Sequence, residues 1–221
     1  MNMFKCIVVA LPAFASALLM LVVLSTPRDQ ASTQRLNVPP GQSFLFQLSG
    51  QTMSASVPAG PDESHSFGTF VVRQDNGDFT TGALERDGSV ESLHIDDFNA
   101  DGRKDALFVV RCAGSGSYVS LFAILSNDTG FTTKQLPDPP NALMADYMGH
   151  DSVAVRNHEI VRRFPTYIDN SKVRIDRQWQ PADLVNGSSL PFKVEPDSNA
   201  SPSGRDTSVI YSVKSGKWRS G

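Results

Sequence analysis

Cysteine is nearly absent: the 221 residues hold two, Cys6 and Cys112. Cys6 precedes Ile7 to Leu24, an apolar run without a charge, and Lys5 stands in front of both. Residues 1–25 therefore read as a secretory signal, the alternative being an uncleaved membrane anchor. Once the signal leaves, Cys112 is alone, and an exported chain with one cysteine has no internal disulfide. Its fold must rest on a packed core. Beyond the signal no stretch keeps a period near 3.6 between helix caps, so helices are expected to be few. No internal repeat is present, which disfavours a propeller or solenoid.

The constellations of an enzyme are missing as well. The four histidines, His65, His94, His150 and His158, show no metal-ligand spacing. Gly114-Ser115-Gly116-Ser117 lacks the G-x-S-x-G spacing of a nucleophile elbow and joins strand to strand, not strand to helix. Asp96 and Asp97 are neighbours in an extended segment and point to opposite faces, so they do not pair for acid–base work. Cys112 has no activating base near it in sequence. An enzyme is not expected. The formal charge of −3 becomes −4 when Lys5 leaves with the signal. A mildly acidic exported domain does not attract nucleic acid or an anionic membrane by charge, and it meets a basic partner favourably.

What the chain does have is a run of strands organised around Asp97 to Ile124. Asp105 to Arg111, DALFVVR, is continuously apolar after its first residue and too short for an ordinary helix; it is the expected central strand. Tyr118 to Ile124 repeats that character after the six residues Cys112 to Ser117, a connection that suits an antiparallel hairpin. Ser43 to Leu48, Thr69 to Arg73, Phe79 to Leu84, Val90 to Ile95, Phe131 to Leu136 and Thr207 to Val213 read as further short strands. Asp87-Gly88 suggests a hairpin turn, and Ser152 to Arg156 with Ile160 to Phe164 form another hairpin about Asn157-His158. Roughly eight to ten short strands with regular turn signals argue for an all-β fold, an antiparallel β-sandwich. Residues 26–42 read as a linker, 43–221 as the sandwich domain, and about 171–196 as an inserted loop.

Two loops could carry function. Asp97-x-Asn99-x-Asp101-Gly102-x-x-Asp105 sets oxygens at alternate positions around a glycine, the arrangement of a loop that wraps a Ca2+ ion. The same residues equally cap an Asx-type turn with Gly102 supplying positive φ. No cofactor is required by anything in the sequence, and a structural Ca2+ is the candidate at that loop. The second loop is Ser115-Gly116-Ser117-Tyr118, two hydroxyls and a phenol on a thin hairpin end. Such groups suit a polar cleft built for sugars, and neutral hydroxyls can satisfy a glycosidase's catalytic carboxylates without offering a hydrolysable bond.

The Asp97–Asp105 loop, Ser115-Gly116-Ser117-Tyr118, Gly149-His150-Asp151, the strand Ile160 to Pro165 and Asn199 to Gly204 occur in one order. Together, over about Phe67 to Trp218, they resemble the periplasmic lysozyme inhibitors of the PliI type, which act on invertebrate-type lysozymes. The resemblance implies an exported protein, periplasmic or secreted, whose partner is a lysozyme and whose S-G-x-x-Y-like loop plugs the active-site cleft. Ser115 and Tyr118 match the inserting serine and tyrosine, one residue closer together than in that pattern. Gly116 and Ser117 complete the loop, and Arg163 and Tyr147 are candidates for a second lysozyme contact. The other reading is an exported structural or Ca2+-binding β-module without inhibitory activity. Whether the domain dimerises is left open.

Overall fold

The computed structural model describes residues 31–166 and 205–221, so the expected signal and the loop at 171–196 lie outside the described residues. Thirteen strands follow one another within them: β1 (Ser32–Arg35), β2 (Gln42–Leu48), β3 (Gln51–Val57), β4 (Gly68–Gln74), β5 (Leu84–Arg86), β6 (Ser89–Asp96), β7 (Asp105–Arg111), β8 (Val119–Asn127), β9 (Gly130–Gln135), β10 (Ser152–Arg156), β11 (Glu159–Pro165), β12 (Asp206–Ser212) and β13 (Lys217–Ser220). Among the described residues the sole helical element is a 3₁₀ turn at Asn141–Leu143. The strands form three antiparallel sheets, ordered β1-β6-β7-β8-β9, β2-β3-β4-β5 and β10-β11-β12-β13. The all-β fold class is as the sequence implies.

The apolar run of β7 has a direct structural cause. Asp105 to Val110 are all buried, because both faces of the five-stranded sheet are covered. Ala106, Phe108 and Val110 pack with Phe46, Met53 and Phe70 of the β2–β5 sheet. Leu107 and Val109 pack instead with Ile160 and Tyr211 of the β10–β13 sheet. The sandwich thus has a third layer, with the five-stranded sheet in the middle. Phe108 is the pivot of the first interface, its ring 5.6 Å from Phe46 and 4.9 Å from Phe70, both edge-on. Burying a side chain of this kind contributes about 1.5–3 kcal/mol, and edge-on rings add to it.

Four sequence expectations change. Ser32–Arg35, within the expected linker, pairs with β6 as edge strand β1; its residues are exposed, so no apolar pattern announces it. Gln51–Val57, expected as loop, is strand β3, with Met53, Ala55 and Val57 buried and Thr52, Ser54 and Ser56 on the other face. Phe79 to Leu84 is not one strand: Thr80 makes an isolated bridge to Arg73, and Leu84 alone belongs to a strand, as the first residue of β5. Asp87-Gly88 does not turn a hairpin, since β5 pairs with β4 and β6 with β7. It carries the chain from one sheet to the next. Gly88, at φ +149°, passes so close to Arg111 that a Cβ would lie 2.1 Å from its carbonyl oxygen, so glycine is required by the crossing.

β1 is fastened by a histidine. His94 Nδ1 lies 2.9 Å from Thr33 Oγ1 and its Nε2 lies 3.2 Å from Ser92 Oγ. Burial pushes the imidazole below its ordinary value, against the charge of Glu91. The folded state therefore holds the neutral ring, whereas the unfolded chain takes up a proton below about pH 6.5. More protons bound in the unfolded state means stability that falls as pH drops through that value. Urea unfolding at pH 7 and pH 5 should show a larger fall in midpoint for the wild type than for His94→Gln.

Candidate functional site

The acidic loop before β7 closes on itself. The carboxylate of Asp97 accepts from the backbone N–H groups of Asp101 and Gly102 at 3.0 and 2.9 Å. Asn99 Oδ1 accepts from the Asp101 N–H, and Asp101 Oδ1 from the Arg103 N–H. Asp105 bonds the backbone at the start of the loop and the end of β8. It is fully buried and accepts from the N–H groups of Phe98 and Ser126 at 3.0 and 2.8 Å. Burial raises its carboxyl to about 6 against the pull of those two donors. Asp105 thus staples the loop and the end of β8 to the first residue of β7. The loop's shape is accounted for by hydrogen bonds within it, and among the described residues no group of three or more His, Cys, Asp or Glu is placed to hold a metal.

At the other end of β7 lies the Ser115–Tyr118 loop. Its base is closed by the Cys112 N–H donating to the Tyr118 carbonyl at 2.8 Å, and its tip by the Ser117 N–H donating to the Gly114 carbonyl at 2.9 Å. Ser115 is exposed, Ser117 half-buried and Gly116 buried; Tyr118 is 39% exposed, one of three large apolar side chains left open among the described residues. Gly116 lies under the Tyr118 ring, where a Cβ would approach Cε2 to 2.3 Å.

Arg111, the last residue of β7, ties three segments together. Its guanidinium donates to the Ser117 carbonyl at 2.9 Å and to the Asp151 carbonyl at 2.8 Å, and pairs with Glu91 at 2.7 Å. The segment ahead of β10 completes the contact. The His150 N–H donates to the Gly116 carbonyl at 2.6 Å. Gly149, at φ +103°, comes so near that a Cβ would sit 1.7 Å from that same oxygen. Ser117, Asp146 and His150 also hold left-handed φ values of 50°, 56° and 60°, so backbone strain gathers where the two loops meet.

Tyr147 stands behind Tyr118. Its ring meets Tyr118 at 5.6 Å and 69° and Phe164 of β11 at 4.8 Å and 74°. Its hydroxyl donates to Asp151 Oδ2 at 2.5 Å and accepts from Arg162 Nη2. Arg162 grips Asp151 with two further bonds, at 2.9 and 3.1 Å, and both side chains are buried. Burial alone would lower the guanidinium's pKa; the bonds and charge of Asp151 outweigh it and raise it. Burial likewise pushes the Tyr147 phenol up, aided by its bond to Asp151.

Of the residues picked out in the sequence, Ser115, Gly116, Ser117, Tyr118 and Tyr147 are brought together. Arg163 is not. Ile160, Arg162 and Phe164 share the buried face of β11, so alternation leaves Arg163 exposed on the opposite face. Arg111, Gly149, Asp151 and Arg162 were missed as site residues. The alternation of Ile160, Arg162 and Phe164 was the available signal for Arg162.

The described residues form a layered β scaffold with a short hydroxyl- and phenol-bearing loop held at the end of its central strand. The family follows from comparison. A family model described as PliI, periplasmic lysozyme inhibitor of I-type lysozyme, matches residues 42–137. The crystal structure of the Aeromonas hydrophila PliI is 32% identical over 92% of its own chain and 45% of this one, with a TM-score of 0.37. The same protein in complex with Meretrix lusoria lysozyme is 33% identical over 85% of its chain and 43% of this one, with a TM-score of 0.35. No curated protein matches the chain. This chain belongs to the family of periplasmic inhibitors of I-type lysozyme, a family of inhibitors and not of enzymes. The match begins at residue 42, ahead of the Phe67 expected for it, and ends at 137. Gly149-His150-Asp151 and the strand Ile160 to Pro165 therefore lie beyond it. No helix among the described residues is long and apolar enough to cross a membrane.

Proposed function

We propose that this protein inhibits an I-type lysozyme by seating the Ser115–Tyr118 loop in the enzyme's active-site cleft. The observation that carries this reading is a loop held on three sides by Arg111, Gly149 and Tyr147 while Ser115 and part of Tyr118 face outward. A loop fixed before encounter loses little freedom on binding. Ser115 then offers a neutral donor to the carboxylates that cleave the glycosidic bond, and Tyr118 offers a rigid surface to the sugar-binding walls. Two exposed carboxylates stand next to residues that the loop's surroundings use, Asp87 beside Gly88, which crosses Arg111, and Asp146 beside Tyr147, and these favour a basic partner.

Steady-state kinetics of an I-type lysozyme test the reading. Inhibition should be competitive, raising the apparent KM and leaving kcat unchanged. Noncompetitive inhibition, with kcat lowered and KM unchanged, would contradict seating in the cleft. Because the acidic residues act at a distance, the association rate should fall about tenfold between 20 and 300 mM salt. Stopped-flow binding measures that slope.

A further inference from the structure

We propose that the β10–β13 sheet, which lies outside the matched segment, is an intramolecular clamp that sets the conformation of the inhibitory loop, with Tyr147, Gly149, Asp151 and Arg162 as positioning residues. The inference rests on the reading that the Ser115–Tyr118 loop is what enters lysozyme.

Ala113-Gly114-Ser115-Gly116-Ser117 has almost no side-chain bulk of its own, and a stretch of that kind has wide backbone freedom. From within, it is closed by the backbone bonds Cys112 to Tyr118 and Ser117 to Gly114 and by the long contact of the Gly114 N–H with Cys112 Sγ. The remaining restraints come from outside. Two reach it from the segment leading into β10: the His150 N–H on the Gly116 carbonyl and the Tyr147 ring edge-on to Tyr118. A third is Arg111, whose hold on Ser117 is itself fixed by the Asp151 carbonyl.

Those contacts are in turn anchored in the third sheet. Asp151 and Tyr147 are pinned by Arg162 on β11, and the Tyr147 ring rests on Phe164 of the same strand. The left-handed residues Asp146, Gly149 and His150 bend the segment so that its backbone touches that of Gly116. Conformations of this cost persist where surrounding packing over-determines them. Here that packing is the Arg162–Asp151–Tyr147 cluster. The clamp raises the fraction of molecules whose loop is ready to bind, and the apparent dissociation constant scales inversely with that fraction.

Gly149→Ala and Tyr147→Leu test this from two sides, the first through the backbone contact and the second through the ring. Amide hydrogen exchange is read at Gly114 to Tyr118 in the free full-length protein, with β7 and β8 as internal reference. The clamp requires exchange at those amides at least tenfold faster in either variant, while the reference strands keep their protection. With an I-type lysozyme, the association rate should fall about tenfold and the dissociation rate change less than twofold. Tyr147→Phe, which keeps the ring against Tyr118, should recover most of the loss. Unchanged loop exchange in both variants overturns the clamp, as does an affinity loss carried entirely by dissociation. The exchange measurement needs no lysozyme, so a wild type that inhibits no lysozyme would overturn the proposed function and leave the clamp to be decided by exchange alone.

Discussion

Tyr118→Ala should weaken inhibition of an I-type lysozyme about thirtyfold, about 2 kcal/mol, with the melting temperature nearly unchanged. A tyrosine near the centre of an interface is among the residues most apt to carry binding energy, through large area and few rotatable bonds. Tyr118 starts with its rotamer largely fixed, because one edge lies against Tyr147 and its ring covers Gly116. The side chain lies at the surface, 39% exposed, and belongs to neither core cluster. Binding and stability are therefore separable at this position. Ser115→Ala should cost less, about 1 kcal/mol, the scale of one hydrogen bond. Inhibition constants alongside thermal melts measure both.

Arg162→Met should instead cost stability, about 3–5 kcal/mol. The guanidinium and the Asp151 carboxylate are both out of water, at 3% and 0% side-chain exposure. A buried pair of this kind contributes little net, but removing one partner strands the other charge in a medium that cannot solvate it. Asp151 would keep Tyr147 as a donor and lose both of its bonds from Arg162, and the Tyr147 hydroxyl would lose the one it accepts. For a domain of this size the loss corresponds to a fall in melting temperature of roughly 10 °C. The companion Arg162→Met/Asp151→Leu removes both charges and should recover part of that loss. Denaturant unfolding of the three proteins measures the difference. Because the same cluster anchors the loop, inhibition should weaken in Arg162→Met even at temperatures where it remains folded.

The centre of the fold was legible because its cause is local. Ala106 to Val110 is an unbroken apolar run since layers cover both of its faces, and no turn residue interrupts it. The β10–β11 hairpin was legible for the same kind of reason: Asn157 and His158 both hold positive φ, at 50° and 64°, as a two-residue hairpin turn demands. Where the signal depends on distant partners the sequence is silent. β3 is built on Met53, Ala55 and Val57 between serines and a threonine, a weak alternation that becomes a strand only because Phe46 and Phe70 lie beneath the same core. β1 carries no buried side chain and exists through its pairing with β6.

The candidate site divides in the same way. Ser115 and Tyr118 stand close in sequence and were visible. The contacts that fix them join residues far apart along the chain, Arg111 to Asp151 and Gly116 to His150, and no local pattern encodes such a meeting. Asp105 shows how spacing and environment can each tell a different part of the story. Its spacing fits the oxygen pattern of a Ca2+ loop, and its environment, at the head of the buried strand β7, gives its carboxylate the N–H groups of Phe98 and Ser126 as partners.

If the Ser115–Tyr118 loop is what enters the cleft, inhibition must depend on Ser115 and Tyr118. The most direct measurement is inhibition of an invertebrate-type, a chicken-type and a goose-type lysozyme by the protein from Thr26 onward, alongside its Ser115→Ala/Tyr118→Ala variant. The expected result is nanomolar inhibition of the invertebrate-type enzyme, lost by at least a hundredfold in the folded double variant. Full inhibition retained by the double variant, or none of the three enzymes inhibited by the folded wild type, would contradict it.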